Sequence, residues 1–250
     1  MHIEASVPIG ELAVRIPGAL DVFERYRLDY CCHGSRSLEE ACAQRGVPLA
    51  TVLQELREAA ERSAQEERTT NWDRVSLREL CRHIVAEHHA YLRAELPRLE
   101  PYLQKIARVH RERHPELVEL CRLFQELSEE IRHHLREEEE GLFPQAVRTE
   151  TALAIGEAAS LQPIAQAIEE REREHERAGA LLDSIRRLLD DYTVPEDACP
   201  TYRHVLESLE RLERDMHRHI HLENNVLHPR LRRLDTLLAS GTEELSVPLR

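Results

Sequence analysis

Between residues 72 and 235 the chain repeats one pattern four times: roughly 30 residues with apolar side chains at alternating steps of three and four, closed each time by a helix breaker. The stretches are 72–109, 115–147, 163–192 and 200–235, and the breakers are His114–Pro115, Pro144 to Pro163 and Pro195 to Pro200. Helices of that length are roughly 45 Å long, and short connections make successive ones antiparallel. The pattern predicts an all-α fold built on an up-down-up-down four-helix bundle, residues 72–236.

Composition agrees. Charged residues make up 32% and aromatics only 4%, which suits long amphipathic helices and gives a sheet little to bury. A formal net charge of −13 argues against nucleic acid, which needs a basic stripe, and against anionic lipid. No basic n-region or apolar h-region opens the chain and no run of 18 apolar residues follows, so a cytoplasmic protein with no membrane span is expected. The six cysteines (Cys31, Cys32, Cys42, Cys81, Cys121, Cys199) lack a disulfide-framework spacing and read as reduced thiols.

Residues 1–64 read as a small helical N-terminal domain. Short helical patterns cover Pro17–Leu28, Leu38–Arg45 and Leu49–Ala60, separated by Gly34 and by Gly46–Pro48. The polar stretch Arg62–Asn71 reads as a linker, and residues beyond Ser240 read as frayed.

Fifteen histidines are the anomaly, and helical phase sorts them. In the second bundle helix the inner stripe reads Leu117, Leu120, Phe124, Leu127, Ile131, His134, Glu138; in the fourth it reads Val205, Leu209, Leu212, Met216, His219, Glu223, Val226. Both are apolar until a histidine and a glutamate appear one turn apart. The first helix gives Cys81, Val85, His89, Leu92, Leu96, Leu99, and the third gives Ile164, Ile168, a polar turn, His175, Ala178, Leu182. His88 lies on a parallel stripe through Ile84 and Tyr91, so phase leaves His88 and His89 both open. His133, His217, His221 and His228 fall out of phase.

One buried histidine is ordinarily a hydrogen-bonded core residue. Two core glutamates are different, because an unpaired carboxylate in an apolar interior is very costly. No lysine or arginine shares those stripes; the exception is Arg171, which could turn inward near His175 and pair with one glutamate. Four imidazoles and two carboxylates without a nearby cysteine suit iron, manganese or zinc. Six ligands are too many for one tetrahedral zinc and suit two metals bridged by the glutamates, with iron favoured.

The same residues resemble the hemerythrin-like proteins, and the whole chain looks like the di-iron iron–sulfur cluster repair proteins, the repair-of-iron-centres family. The likeness is carried by the segments starting at His88 (HHAYLRAELP), His134 (HLREEEEGLFP), Glu174 (EHERAG) and His219 (HIHLENNVLHP), and by Leu28–Gly34 (LDYCCHG) near the N-terminus. It implies a hemerythrin-like bundle after a small helical domain, with two bridged irons on His89, His134, Glu138, His175, His219 and Glu223. It also implies repair of clusters damaged by nitric oxide or oxidants through iron donation, so that damaged iron–sulfur proteins are the partners. A cytoplasmic homodimer is implied as well. Two departures stand out: His33, where the family more often has glycine, and His228, where it has phenylalanine.

Three matters stay open at this level. Cys31 and Cys32 can form a strained disulfide, bind a soft metal or pack inertly; the resemblance implies a redox or iron-transfer role, and His33 could add a third ligand. Binding or reduction of nitric oxide or oxygen at the metal pair is the rival function. Gly179 lies where oxygen-carrying hemerythrins have a fifth histidine, which implies a more open and exchangeable iron.

Overall fold

The computed structural model describes residues 3–16, 18–65, 71–156 and 164–239. The protein is all-α, an up-down-up-down four-helix bundle preceded by a small helical N-terminal region. Among the described residues there is no strand, and the one β-bridge is the isolated pair Pro8 and Ser37.

The helices are α1 Ile9–Arg15, α2 Ala19–Tyr26, α3 Leu38–Arg45, α4 Leu49–Gln65, α5 Leu77–Ile84, α6 Ala90–His110, α7 Glu116–Glu137, α8 Phe143–Ala154, α9 Ala165–Leu188, α10 Pro200–Leu222 and α11 His228–Ala239. Among the described residues three π-helical turns interrupt them: Val85–His89, Glu138–Leu142 and Glu223–Leu227.

Two compact units are distinguished. One comprises the described residues of Met1–Leu80, Ala146–Ala165 and His217–Arg250. In it α3 starts with a capping box, Ser37 Oγ accepting from the Glu40 amide at 3.2 Å and the Glu40 carboxylate from the Ser37 amide at 2.9 Å. It stops at Gly46, whose φ of 66° is the left-handed conformation a glycine adopts cheaply. Its core gathers Ile9, Leu12, Val22, Phe23, Tyr30, Leu38 and Leu56, all 3% exposed or less. Arg230 on α11 donates to the carbonyls of Trp72 and Val75, and Glu150 on α8 accepts the Leu77 amide at 3.0 Å.

The other unit is Cys81–Gln145 and Gln166–Met216. Here α6 packs on α7, and the stripes read from the sequence are buried: Leu117, Leu120, Phe124, Leu127 and Ile131 on α7, Val205, Leu209, Leu212 and Met216 on α10.

Several boundaries differ from the periodic reading. α1 carries no strong pattern and was not expected. The first bundle helix begins at Leu77 rather than 72, because Ser76 and Glu79 form a second capping box, at 3.2 Å in both directions. Pro144 does not stop its helix, which continues to Ala154, and the helix past Pro229, already inside the fourth stretch, runs on to Ala239. Each proline follows a π-helical turn by two residues, where the wider hydrogen-bond ladder has already left a donor position vacant. The linker reading is shortened by α4, which runs to Gln65; its residues 66–70, residues 157–163 and the expected frayed tail from Ser240 lie outside the described residues.

The first π-helical turn also corrects one stripe. The extra residue advances the phase, so Ile84 is buried and Val85 only half-buried, while His88 and His89 both end up inside. A regular helix would have buried one of them.

Candidate metal centre

On α7 and the turns beside it, Glu138 is fully buried, and its Oε2 is approached by two imidazole nitrogens, His89 Nε2 at 3.4 Å and His134 Nε2 at 3.2 Å. His175 on α9 places its Nε2 3.1 Å from His134 Nε2. On α10, His219 Nε2 lies 3.0 Å from Glu223 Oε1, and both residues are fully buried.

The outward faces of two rings are held. His89 Nδ1 is bonded to Glu139 Oε1 at 2.7 Å, and Arg93 holds the same oxygen at 2.7 Å. His134 Nδ1 is bonded to Glu174 Oε2 at 2.8 Å, and Arg171 holds the other Glu174 oxygen at 3.1 Å. Burial pushes the carboxyls of Glu139 and Glu174 up; the basic neighbours outweigh it, and both stay below the ordinary carboxylate range. A carboxylate on Nδ1 fixes the proton there and leaves Nε2 as a lone-pair donor, the arrangement found behind metal-bound histidines.

The six side chains form two overlapping groups. Ligand atoms of His89, Glu138, His219 and Glu223 lie within 4.8 Å of one another, and so do those of His134, Glu138, His175 and Glu223. Glu138 and Glu223 belong to both. All four residues of each group are buried.

Whether a metal pair suits these residues can be judged from the buried acids. Five glutamates are buried among the described residues: Glu95, Glu138, Glu174, Glu213 and Glu223. Glu95 is paired with Arg98, Glu174 with Arg171, and Glu213 with Arg186 at 2.6 Å. Glu138 and Glu223 face histidines instead. Arg171, which could have neutralised one of them, does turn inward, but onto Glu174. Opposed lone-pair nitrogens 3.1 Å apart fit two adjacent ligands on one cation at metal–nitrogen bonds of roughly 2.1 Å. The donor set therefore fits a pair of cations of the kind bound by nitrogen and oxygen.

The remaining histidines divide. His133 is exposed. His88 is buried and bonded to Asp215 at 2.9 Å, outside both groups. His217 is bonded to Glu24 at 2.9 Å. His221 and His228, out of phase with the ligand stripe, are nevertheless buried, because the end of the fourth bundle helix is covered on more than one side. His221 packs on Tyr30, with ring centroids 5.5 Å apart, and burial pushes its pKa down to about 4. All six cysteines lie outside disulfides, and Cys31 Sγ lies 3.8 Å from Cys32 Sγ. His33 is bonded to Asp29 and is not among the grouped donors; Asp29 takes the place expected of it.

The anchoring residues Glu139 and Glu174 were missed in the sequence, as was Asn225, which binds both the Tyr30 carbonyl at 3.0 Å and His221 Nδ1 at 3.0 Å. Glu139 and Glu174 each adjoin a ligand-stripe residue, which is a signal of a sort, but the contacts they make span 50 and 40 residues.

Among the described residues no helix is long and apolar enough to cross a membrane. Residues 82–231 match the family described as the hemerythrin HHE cation binding domain, and residues 5–60 match a domain of unknown function, DUF542, named for the N-terminus of ScdA. The iron-sulfur cluster repair protein ScdA of Staphylococcus haemolyticus is 30% identical over 219 residues, 88% of this chain and 95% of that protein. The iron-sulfur cluster repair proteins YtfE of Enterobacter sp. and of Edwardsiella ictaluri are 34% and 36% identical over 223 residues, 89% of this chain and 95% of each. The chain belongs to the hemerythrin HHE cation-binding family and, within it, to the iron–sulfur cluster repair proteins ScdA and YtfE.

Proposed function

We propose that this protein repairs iron–sulfur clusters damaged by nitric oxide or oxidants, in the cytoplasm, by donating iron from a two-iron centre on His89, His134, Glu138, His175, His219 and Glu223. The observation that carries this reading is the pair of overlapping donor groups sharing Glu138 and Glu223, two buried carboxylates that face imidazoles, where each of the other buried glutamates has an arginine partner. The names of the relatives support cluster repair as the purpose.

An iron pair would supply exchangeable metal and a site for small ligands. The chain's own part is to hold it. Glu139 and Glu174 orient two rings through Nδ1, Arg93 and Arg171 keep those carboxylates ionised, and the apolar stripes on α7 and α10 keep water away. Gly179, one turn after His175 on α9, leaves that helix with one nitrogen donor where oxygen carriers have two, which favours release of iron over carriage of oxygen.

The rival reading, binding or reduction of nitric oxide at the same centre, draws on the same openness. One experiment separates them: protein loaded with isotopically labelled iron is mixed with a nitric-oxide-damaged iron–sulfur enzyme. Label recovered in the restored enzyme supports donation. Restored activity with all label still on this protein overturns donation and favours nitric oxide chemistry.

A further inference from the structure

The loop joining α2 to α3 carries donors that the bundle does not use. Asp29 Oδ1 accepts from the amides of Cys32 at 2.9 Å and His33 at 3.3 Å, and the Cys31 thiol lies 3.5 Å from it. A carboxylate capping the next two or three amides is an ordinary turn, and it accounts for Asp29. It does not account for the thiols. Side chains of adjacent residues in extended backbone point to opposite sides; here the bend brings both sulfurs to the carboxylate, and ligand atoms of Asp29, Cys31 and Cys32 all lie within 4.8 Å of one another.

The sulfur separation is informative. At 3.8 Å it is far beyond a disulfide bond of about 2.05 Å. It matches the span of two thiolates on one tetrahedral cation, which bonds of about 2.3 Å set at about 3.8 Å.

A second observation is that the loop is held in place. Asn224 Nδ2 donates to the Cys31 carbonyl at 3.1 Å and Asn225 Nδ2 to the Tyr30 carbonyl at 3.0 Å. Gly10 and Gly34 close on Asn225 so tightly that a β-carbon on either would lie 2.2 or 2.4 Å from its Oδ1. Cys31 is buried, while Cys32 and Asp29 are half-buried and His33 is exposed, so the cluster is anchored on one side and reachable from solvent on the other.

We propose that Asp29, Cys31 and Cys32 form a second cation site, distinct from the histidine–glutamate cluster, that takes one thiophilic divalent cation such as zinc or ferrous iron, with its fourth position open to solvent. The neighbouring Cys32 thiol and burial both push the Cys31 thiol well above its ordinary range, so cation binding there displaces its proton. His33, bonded through Nδ1 to Asp29, orients the carboxylate as a positioning residue.

The test is a titration of the iron-loaded full-length protein with cobalt(II), in a non-thiol reductant. Thiolate-to-cobalt charge transfer in the near ultraviolet reports sulfur ligation, which the bundle cluster, having no cysteine, cannot produce. The wild type is expected to develop the band with an endpoint of one cobalt per chain, and excess zinc to bleach it. Cys32→Ser, on the solvent side, should lower the band to half or less; Asp29→Asn, which keeps the size and one acceptor oxygen, should weaken cobalt binding by about tenfold or more. Cys199→Ser should change nothing. Absence of the band while both thiols titrate as free overturns the site, as does a band that survives in the Cys31→Ser/Cys32→Ser double variant. Circular dichroism of each variant guards against misfolding, and Cys32→Ser decides the matter where Asp29→Asn does not fold.

Discussion

The bundle cluster and the α2–α3 loop cluster set their donors in opposite ways. In the bundle the donors are imidazoles and carboxylates on helices, buried, with outer carboxylates fixing two of the rings. In the loop they are two thiols and a carboxylate held by backbone amides, half open to solvent. The first suits cations that take nitrogen and oxygen; the second suits a softer, sulfur-binding cation. Rigidity also has different sources. Helical packing and π-helical turns set the first, and two asparagine side chains on the turn Glu223–Leu227 and its neighbouring glycines set the second.

The largest effect expected from this contrast is at the shared carboxylates. Glu138→Ala and Glu223→Ala should each reduce iron from close to two per chain to near none in elemental analysis, since each belongs to both donor groups. His133→Ala is the proper control, being exposed; His88 and His221 are buried and would confuse loss of metal with loss of packing. Equal loss from His133→Ala would remove the distinction between ligand and bystander.

Next are the anchors. Glu139→Gln and Glu174→Gln leave each Nδ1 with a weaker partner and free the tautomer. Metal affinity of the bundle cluster should fall about 10- to 100-fold, the range for such outer partners, with little effect on the cobalt–thiolate band of the loop. Unchanged affinity in chelator competition would mean that the rings are fixed by packing.

How much of this the sequence shows depends on whether the information is local. The stripes Leu117 to Glu138 and Val205 to Val226 were readable because burial follows helical phase, and the odd residues on them announced themselves. Val85 was misplaced because a π-helical turn shifts phase by one residue without any compositional mark. His221 and His228 fell off the inner stripe yet are buried, because phase predicts one covered face, while the end of that helix has several. Glu139, Glu174 and Asn225 act on partners 40 residues or more away, which no local pattern encodes. The third donor of the loop cluster was misread for a subtler reason: His33 was the chemically attractive neighbour, but its ring is bonded to Asp29.

The glycine clamp gives a smaller effect that sharpens the same comparison. Gly34→Ala places a β-carbon 2.4 Å from Asn225 Oδ1 and 2.8 Å from the Tyr30 carbonyl, and backbone cannot yield as a flexible side chain can. Overpacking of this kind costs about 1–3 kcal/mol, and a chain of this size loses roughly 2–4 °C per kcal/mol. Gly10→Ala meets mainly the Asn225 side chain, so combining it with Asn225→Ala should be less than additive. In both single variants the loop should lose cobalt affinity while iron stays near the wild-type value. Strict additivity in thermal melts would show that the two residues do not press on each other.

The smallest effect concerns a histidine that has carboxylates and no site. At His114, Nδ1 is bonded to Glu116 at 3.0 Å and Nε2 to Asp197 at 2.9 Å, so each nitrogen has its own carboxylate and neither converges with other donors. Asp197 and then Glu116 raise the His114 pKa above its usual value, and His114 with Arg113 lowers that of Asp197. A raised histidine contributes stability below its unfolded value of about 6.5 and loses it as pH rises through the folded value; a lowered aspartate contributes above about 3.9 and loses it as pH falls. The pair therefore stabilises most between about pH 4 and 6.5. His114→Gln should lower the melting temperature by a degree or so near pH 5.5, in line with the modest worth of exposed ion pairs, and by less at pH 8.5. The iron content of the variant should equal that of the wild type at both. A melting difference independent of pH would show that His114 acts through its neutral ring packed on Tyr202, 5.5 Å away, and that its charge contributes nothing.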